Sequence, residues 1–186
     1  ASRGIKQVKS AEHGTLSITR LAGFAEIPTQ LFITGEGSEG GADMQKALRF
    51  TSTESGVYEI FTRLEAGKNY YFVDNKDGII RKFYLSGKAI KEQTEGTPSA
   101  TVTEGGVYRI ILDFNIAASV LEKVESVGWY FSPSGQVDIP LSYQGNGIWQ
   151  GSGATPFKQE GWGRDERYKF EMVVSKEGTR KTIHWG

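Results

Sequence analysis

Tryptophan and its charged neighbours are the residues of this chain whose types and spacing suit a binding surface. All four tryptophans lie in the C-terminal third, and Trp162 stands between two glycines in a segment rich in charged residues. A sugar ring has an apolar C–H face, which a flat indole covers, and a rim of hydroxyl groups, which Arg, Lys, Asn or Asp hydrogen-bonds. The segment 159–167 therefore predicts a carbohydrate platform.

Packing is the alternative role for the same side chains, because tryptophan in a small β protein usually belongs to the core. Trp129 and Phe131 share a strand face on which Tyr130 does not lie, so one of these two sets is core. Trp149 sits on an alternating strand and can face inward, whereas Trp162 has little local structure to bury it.

The loop Gly35–Gly40 matches the dinucleotide fingerprint G-x-G-x-x-G. That fingerprint works only where a helix follows and its N-terminus holds a pyrophosphate. Here strand, turn and strand follow, and Glu36 and Glu39 would repel a pyrophosphate. We expect a flexible surface loop and no cofactor.

Catalytic and metal-binding motifs are weak. The segment 74–78 lacks the alternating acids and distal Glu of a calcium loop and is typical of a hairpin turn. His184 has no nucleophile elbow to serve, and the consecutive Asp165 and Glu166 point to opposite faces of a strand. No cysteine is present. We expect neither catalysis nor a bound metal; a glycosidase would need two carboxylates facing each other at roughly 5–10 Å.

Composition excludes further classes of function. The chain has 22 basic and 22 acidic residues, so it offers no broad positive surface for nucleic acid or for an anionic membrane. It contains no signal peptide and no apolar run that could cross a bilayer.

Short strands closed by glycine-containing turns dominate the pattern, and they predict an all-β fold with a sandwich or barrel architecture. The strands include residues 15–19, 31–34, 57–62, 70–73, 79–85, 107–114 and 127–132, and one or two helical turns are expected within 42–48.

Two segments of the chain repeat the same order of elements. Residues 147–150, 170–173, 176–178 and 180–185 correspond to residues 56–59, 70–73, 76–78 and 81–84. We interpret this as two tandem immunoglobulin-like β-sandwich repeats, at 27–123 and 124–186, after an N-terminal segment and linker at 1–26. The second repeat lacks closing strands, so we expect it to be incomplete and the chain to be a fragment.

The stretch from Pro28 to Trp185 resembles the outer-membrane lipoproteins of the SusE/SusF type, which belong to starch-utilisation systems of Bacteroidetes. The residues that carry the resemblance are 31–35, 56–59 and 70–74 in the first repeat, and 157–170 with 184–186 in the second.

This resemblance implies β-sandwich modules that bind polysaccharides or oligosaccharides at the bacterial cell surface without cleaving them. It implies a secreted protein, anchored to the outer membrane by a lipid on a cysteine outside this chain, with outer-membrane transporter proteins as partners in glycan uptake. The residues that best suit the family's aromatic cradle and its polar partners are Trp162, Arg164, Lys169 and Trp185. The alternative is a structural spacer or protein-interaction module of a cell-surface lipoprotein; Trp162 exposed on a concave surface near Arg164 would favour glycan binding.

Overall fold

The computed structural model describes residues 22–186, together with the backbone of two strands in residues 1–21. These strands, β1 (Ile5–Ser10) and β2 (Leu16–Arg20), form an antiparallel hairpin, and β2 covers most of the strand expected at residues 15–19. The chain is all-β, as its sequence pattern predicts. Among the described residues, the one helical element is a short 3-10 helix at Met44–Lys46.

The first predicted repeat folds into two half-sheets that face each other. One half has the order β4-β3-β7-β8-β9 and the other the order β11-β10-β6-β5, and the pair Ala118–Ala89 joins them through β11 and β9. The strands are β3 (Phe32–Thr34), β4 (Leu48–Arg49), β5 (Thr51–Glu54), β6 (Val57–Leu64), β7 (Tyr71–Val73), β8 (Lys82–Ser86), β9 (Ala89–Gln93), β10 (Gly106–Asp113) and β11 (Ala118–Phe131).

Alternation along these strands builds the core between the half-sheets. On β10, Tyr108, Ile110 and Leu112 are buried, whereas the residues between them are only partly buried, as a strand with one covered face requires. Residues of both half-sheets join one apolar cluster, which includes the fully buried Phe114 just after β10. The Phe114 ring is 5.1 Å from the ring of Phe83, centroid to centroid, in an edge-on contact.

Strand β11 runs through both predicted repeats without a break. Residues Ala118–Lys123 pair with β10, whereas residues from Lys123 to Phe131 pair with β16 (Tyr168–Lys176). The boundary predicted between residues 123 and 124 thus lies inside one strand, at the point where the β10 partner ends. No linker separates the two predicted repeats, because β11 is a strand of both sheets.

The second sheet has the order β13-β12-β11-β16-β17, with β12 (Gln136–Gly145), β13 (Ile148–Gln150) and β17 (Thr179–Trp185). Its pairings follow those of the first region: β12, β11, β16 and β17 pair in the same succession as β4, β3, β7 and β8. A small hairpin of β14 (Lys158–Glu160) and β15 (Gly163–Asp165) completes the described structure. Duplication of the unit stays a prediction, supported by this common pairing order.

The Gly35–Gly40 loop is not the flexible surface loop that its glycines predict. Gly35, Gly37 and Ser38 are buried, and the Gly37 amide donates to the Asn69 carbonyl at 2.8 Å. No helix long enough for a dinucleotide site follows it, because the next element is the three-residue 3-10 helix. The glycines serve close packing of the backbone instead.

Gly40→Ala is expected to destabilise the protein by about 1–3 kcal/mol, the usual cost of forcing extra volume into a packed site. A Cβ atom on Gly40 would lie 2.1 Å from the Lys46 carbonyl oxygen, which is backbone and cannot move aside cheaply. Urea unfolding measures the change. Gly161→Ala is the control, because a Cβ there meets nothing within 4 Å; equal stability of the two variants would contradict the prediction.

Candidate functional site

Five aromatic side chains share one face of the second sheet. Directly opposed residues in antiparallel strands place their side chains on the same face. The register opposes Trp129 to Phe170, Phe170 to Trp185, and Phe131 to Tyr168. We call these five residues the aromatic face.

The rings of the aromatic face form a buried layer and an open layer. Trp129 stacks against Phe131 at 5.8 Å and against Tyr168 at 5.4 Å between ring centroids. Trp129 and Phe131 are buried, whereas Tyr168 is 54% exposed and Phe170 and Trp185 are each 40% exposed. Of the two sets left open by the sequence, Trp129 and Phe131 are therefore the buried one, and they support the exposed rings.

Toward the first region, the same face of the sheet becomes a packed apolar cluster. Val127, Met172 and Val174 are buried there, with Phe61 of β6 packed against them. Trp149 meets the Phe61 ring at 5.5 Å, edge-on. Trp149 is partly buried and thus packs the two regions together.

A groove of about 370 Å³ opens on the aromatic face, within the size range of small-molecule sites. Its lining is Trp129, Thr155, Pro156, Glu166, Tyr168 and Phe170. Three of the six are aromatic, and Thr155 and Glu166 add a hydroxyl group and a carboxylate. The groove therefore combines ring surface with hydrogen-bonding groups at its side.

The segment between β13 and β16 holds the polar wall of this groove. The Arg164 guanidinium lies 4.0 Å from the centroid of the Phe157 ring and bridges to Glu166 at 2.6 Å. At the base of the β14–β15 hairpin, buried Asp165 accepts hydrogen bonds from the Arg167 guanidinium at 2.7 and 2.9 Å. These bonds hold the pKa of Asp165 below its usual value, so the carboxylate stays charged and fixes Arg167 in the connection between β15 and β16.

Trp162 occupies the tip of the β14–β15 hairpin. The pairing of Glu160 with Gly163 leaves only Gly161 and Trp162 in the turn, and the Trp162 side chain is 70% exposed. It is therefore exposed, with Arg164 two residues away on β15. It does not belong to the lining of the groove on the aromatic face.

Lys169 and Trp185 lie on opposite faces of the second sheet, so the four residues predicted as one cradle are not brought together. Trp185 is opposed to Phe170, and Lys169, one position earlier on β16, points to the other side. There the Lys169 ammonium lies 4.6 Å from the centroid of the Tyr130 ring. His184 shares that face, with its Nε2 atom 2.8 Å from a Glu171 carboxylate oxygen.

Sequence reasoning missed Tyr168, Phe170 and Glu166 as groove residues. The alternation of residues 168, 170, 172 and 174 is the signal that marks one apolar face of β16. The position of Glu166 has no such signal, because it depends on how the segment before β16 returns over the sheet.

A second groove, of about 670 Å³, lies on the outer surface of the first region and reaches Lys176 at the end of β16. Val57, Ile111 and Val120 contribute to its lining, which contains no aromatic residue. Its Arg109 is bound by Glu59 at 2.9 Å and Glu122 at 3.5 Å, so these charges satisfy one another. The lining offers no ring on which a sugar could stack.

In the described part of the chain, no group of three or more His, Cys, Asp or Glu side chains is placed to hold a metal ion. Nor do the described residues include a helix with the length and apolarity that a membrane crossing requires.

Comparison with known proteins adds no relative to this picture: the chain matches no family model, no curated protein sequence and no solved structure.

Proposed function

We propose that this protein binds carbohydrate without cleaving it, at the groove on the aromatic face. The observation that carries the proposal is the set of exposed rings, Tyr168 and Phe170, supported by buried Trp129 and flanked by Glu166 and Thr155. An exposed ring on a rigid base covers the C–H face of a sugar at little entropic cost. The carboxylate and the hydroxyl group meet sugar hydroxyls at the rim.

The hairpin extends the proposed site. Trp162 at its tip and Arg164 on β15 stand on the segment that forms the groove wall, so a longer glycan that fills the groove would reach them. Lys169 is assigned no part in this groove, because it lies on the other face of the sheet. Trp185, in the same row as Phe170, continues the ring surface toward the sheet edge.

The setting of this activity rests on the resemblance to the SusE/SusF type of lipoprotein. We place the protein at the bacterial cell surface, lipid-anchored to the outer membrane, and acting with outer-membrane transporter proteins in polysaccharide uptake. Its role there is retention of the glycan, with chemistry left to other proteins.

A panel of soluble polysaccharides and their oligosaccharides, tested by affinity electrophoresis and calorimetry, examines the proposal. Tyr168→Ala and Phe170→Ala are each expected to weaken binding roughly 10-fold or more, because each removes an aromatic ring buried by the sugar. Trp162→Ala is expected to weaken the binding of long glycans more than that of short ones. The turn that carries Trp162 lies beyond the groove, so only a long glycan would reach it.

Ile148→Ala is the matched control, since Ile148 is also exposed on the second sheet but lies on β13, away from the groove. Binding lost equally in the control would indicate a general fault in the sheet. Failure of the unchanged protein to bind any glycan would refute the proposed function, whereas binding unaffected by Tyr168→Ala and Phe170→Ala would refute the site.

The second candidate function is a protein-interaction module. The observation that favours it is the open layer of the aromatic face, because exposed apolar patches often mark protein interfaces. The same variants distinguish glycan binding from protein interaction. If the protein-interaction role is right, the unchanged protein binds no glycan, and Phe170→Ala weakens its binding to a protein ligand.

A further inference from the structure

The outer edge of β17 is regular and unpaired within the described residues. β17 pairs with β16 at seven consecutive positions, from Lys176–Thr179 to Phe170–Trp185, with no bulge. It contains no proline. Free edge strands commonly carry a bulge, a proline or charged side chains that prevent unwanted pairing. β17 has the charged side chains Arg180 and Lys181 but neither a bulge nor a proline.

The first region shows what lies at the corresponding edge. Phe72 pairs with Phe83 and Met172 pairs with Ile183, and the same number of residues separates the partners in both hairpins. β8 therefore corresponds to β17. The edge of β8 that corresponds to the unpaired edge of β17 is paired with β9. The two strands run antiparallel, from the pair Lys82–Gln93 to the pair Ser86–Ala89.

Two side chains of β9 face the same side as Phe83. Ile90 lies opposite Leu85 and is buried in the core. Glu92, two residues later, lies opposite Phe83 and binds Arg81 through two hydrogen bonds of 2.8 Å. β9 thus joins β8 with an apolar residue followed, after one intervening residue, by an acid.

β17 presents the partners that such a strand needs. By the register of the two hairpins, Trp185 takes the place of Leu85, Ile183 that of Phe83, and Lys181 that of Arg81. Trp185 is 40% exposed and Lys181 is exposed. β17 carries basic residues and no acid, so it complements an acidic strand and opposes pairing with a copy of itself.

We propose that β17 binds an extended strand of acidic character from a partner polypeptide, which pairs antiparallel with its free edge. The strand has an apolar residue opposite Trp185 and, two residues later, an acid that reaches Lys181. Backbone hydrogen bonds supply the pairing, and the two side chains set its register and specificity. The pairing does not depend on glycan binding in the groove; Trp185 is the one residue that the aromatic face and the edge of β17 share.

A synthetic peptide with the sequence of residues 87–95 is the probe, because it contains the β9 pattern. It is used free at millimolar concentration, and also joined to the C-terminus by a short Gly/Ser linker, which raises its effective concentration. Amide hydrogen exchange of β17 is the readout. We expect new protection at β17 amides that point away from β16.

Charge exchange tests the assigned register. Lys181→Glu is expected to weaken binding of the peptide roughly three- to tenfold, and a peptide with Lys in place of Glu92 is expected to restore it. Arg180→Glu is the matched control, because residue 180 points to the other face of the strand, so the exchanged peptide should not restore binding there.

Two results would overturn the proposal. One is the absence of new β17 protection with both the free and the joined peptide. The other is protection of the same amides in the absence of peptide, together with a dimer in sedimentation, which would assign this edge to a second copy of the chain. Loss of glycan binding with normal peptide pairing would refute only the proposed function.

Discussion

Phe114→Ala is expected to lower the free energy of unfolding by about 3–5 kcal/mol, the usual cost of removing a large aromatic side chain from a packed core. Phe114 is fully buried and its ring contacts those of Phe24, Tyr58 and Phe83 at centroid distances of 5.2, 5.9 and 5.1 Å. It belongs to the apolar cluster that fills the space between the two half-sheets. Because a domain of ordinary stability has only about 5–15 kcal/mol to lose, urea unfolding will show a large shift.

Phe157→Ala is the control for this prediction, since it is the same chemical change at a ring that is 51% exposed. It should lower the free energy of unfolding by less than about 1 kcal/mol, because the ring is already half exposed and little further apolar area becomes exposed to water. Similar losses at residues 114 and 157 would mean that the half-sheets do not pack as described.

Glu39→Gln is expected to lower the free energy of unfolding by about 1–3 kcal/mol, since it weakens three charge-assisted hydrogen bonds, two of which join the two regions. The Glu39 carboxylate, in the Gly35–Gly40 loop, accepts from the Tyr143 hydroxyl and from the amides of Arg63 at 2.7 Å and Asn146 at 2.9 Å. The Gln amide group can accept through one atom only. Chemical denaturation at pH 7 measures the difference, with exposed Glu36→Gln of the same loop as the control.

The effect of Glu39 is expected to depend on pH. Burial alone would raise the pKa of Glu39, but the hydrogen bonds from Tyr143, Asn146 and Arg63 outweigh it and hold the pKa below its usual value. The carboxylate therefore contributes stability that is fully present above the unfolded-state pKa, near 4.3, and that is lost as the pH falls through the lowered folded-state pKa. A stability difference between wild type and Glu39→Gln that stays constant down to pH 2 would contradict this assignment.

Much of the β pattern could be predicted from local sequence. Alternation and glycine-containing turns located β6, β10 and the β7–β8 hairpin, because side-chain direction reverses at every strand residue and turns need backbone angles that glycine adopts. The continuity of β11 could not be predicted. The sequence predicts a strand at residues 127–132 and none at 118–126, with a repeat boundary between 123 and 124. Only the pairing shows that one strand spans residues 118–131 and changes partners near residue 124.

The candidate site divides in the same way. The exposure of Trp162 follows from its two flanking glycines, which leave no local structure to cover it. The separation of Lys169 from Trp185 follows from register, and register depends on which residue of β16 opposes which residue of β17. The residue types favoured one cradle of four residues, but the strand pairing places two of them, Lys169 and Trp185, on opposite faces of the second sheet.

By itself, the sequence determined the all-β class, the positions of many strands and the concentration of tryptophan in the C-terminal part, because these depend on neighbouring residues in the chain. Only the tertiary structure decided which rings are buried and which are open, since burial depends on strands distant in sequence. The tertiary structure likewise shows that the Gly35–Gly40 loop packs between the two regions, although the sequence predicts a surface loop. Two partners of Glu39 lie more than a hundred residues away, on the second sheet and in its β12–β13 turn.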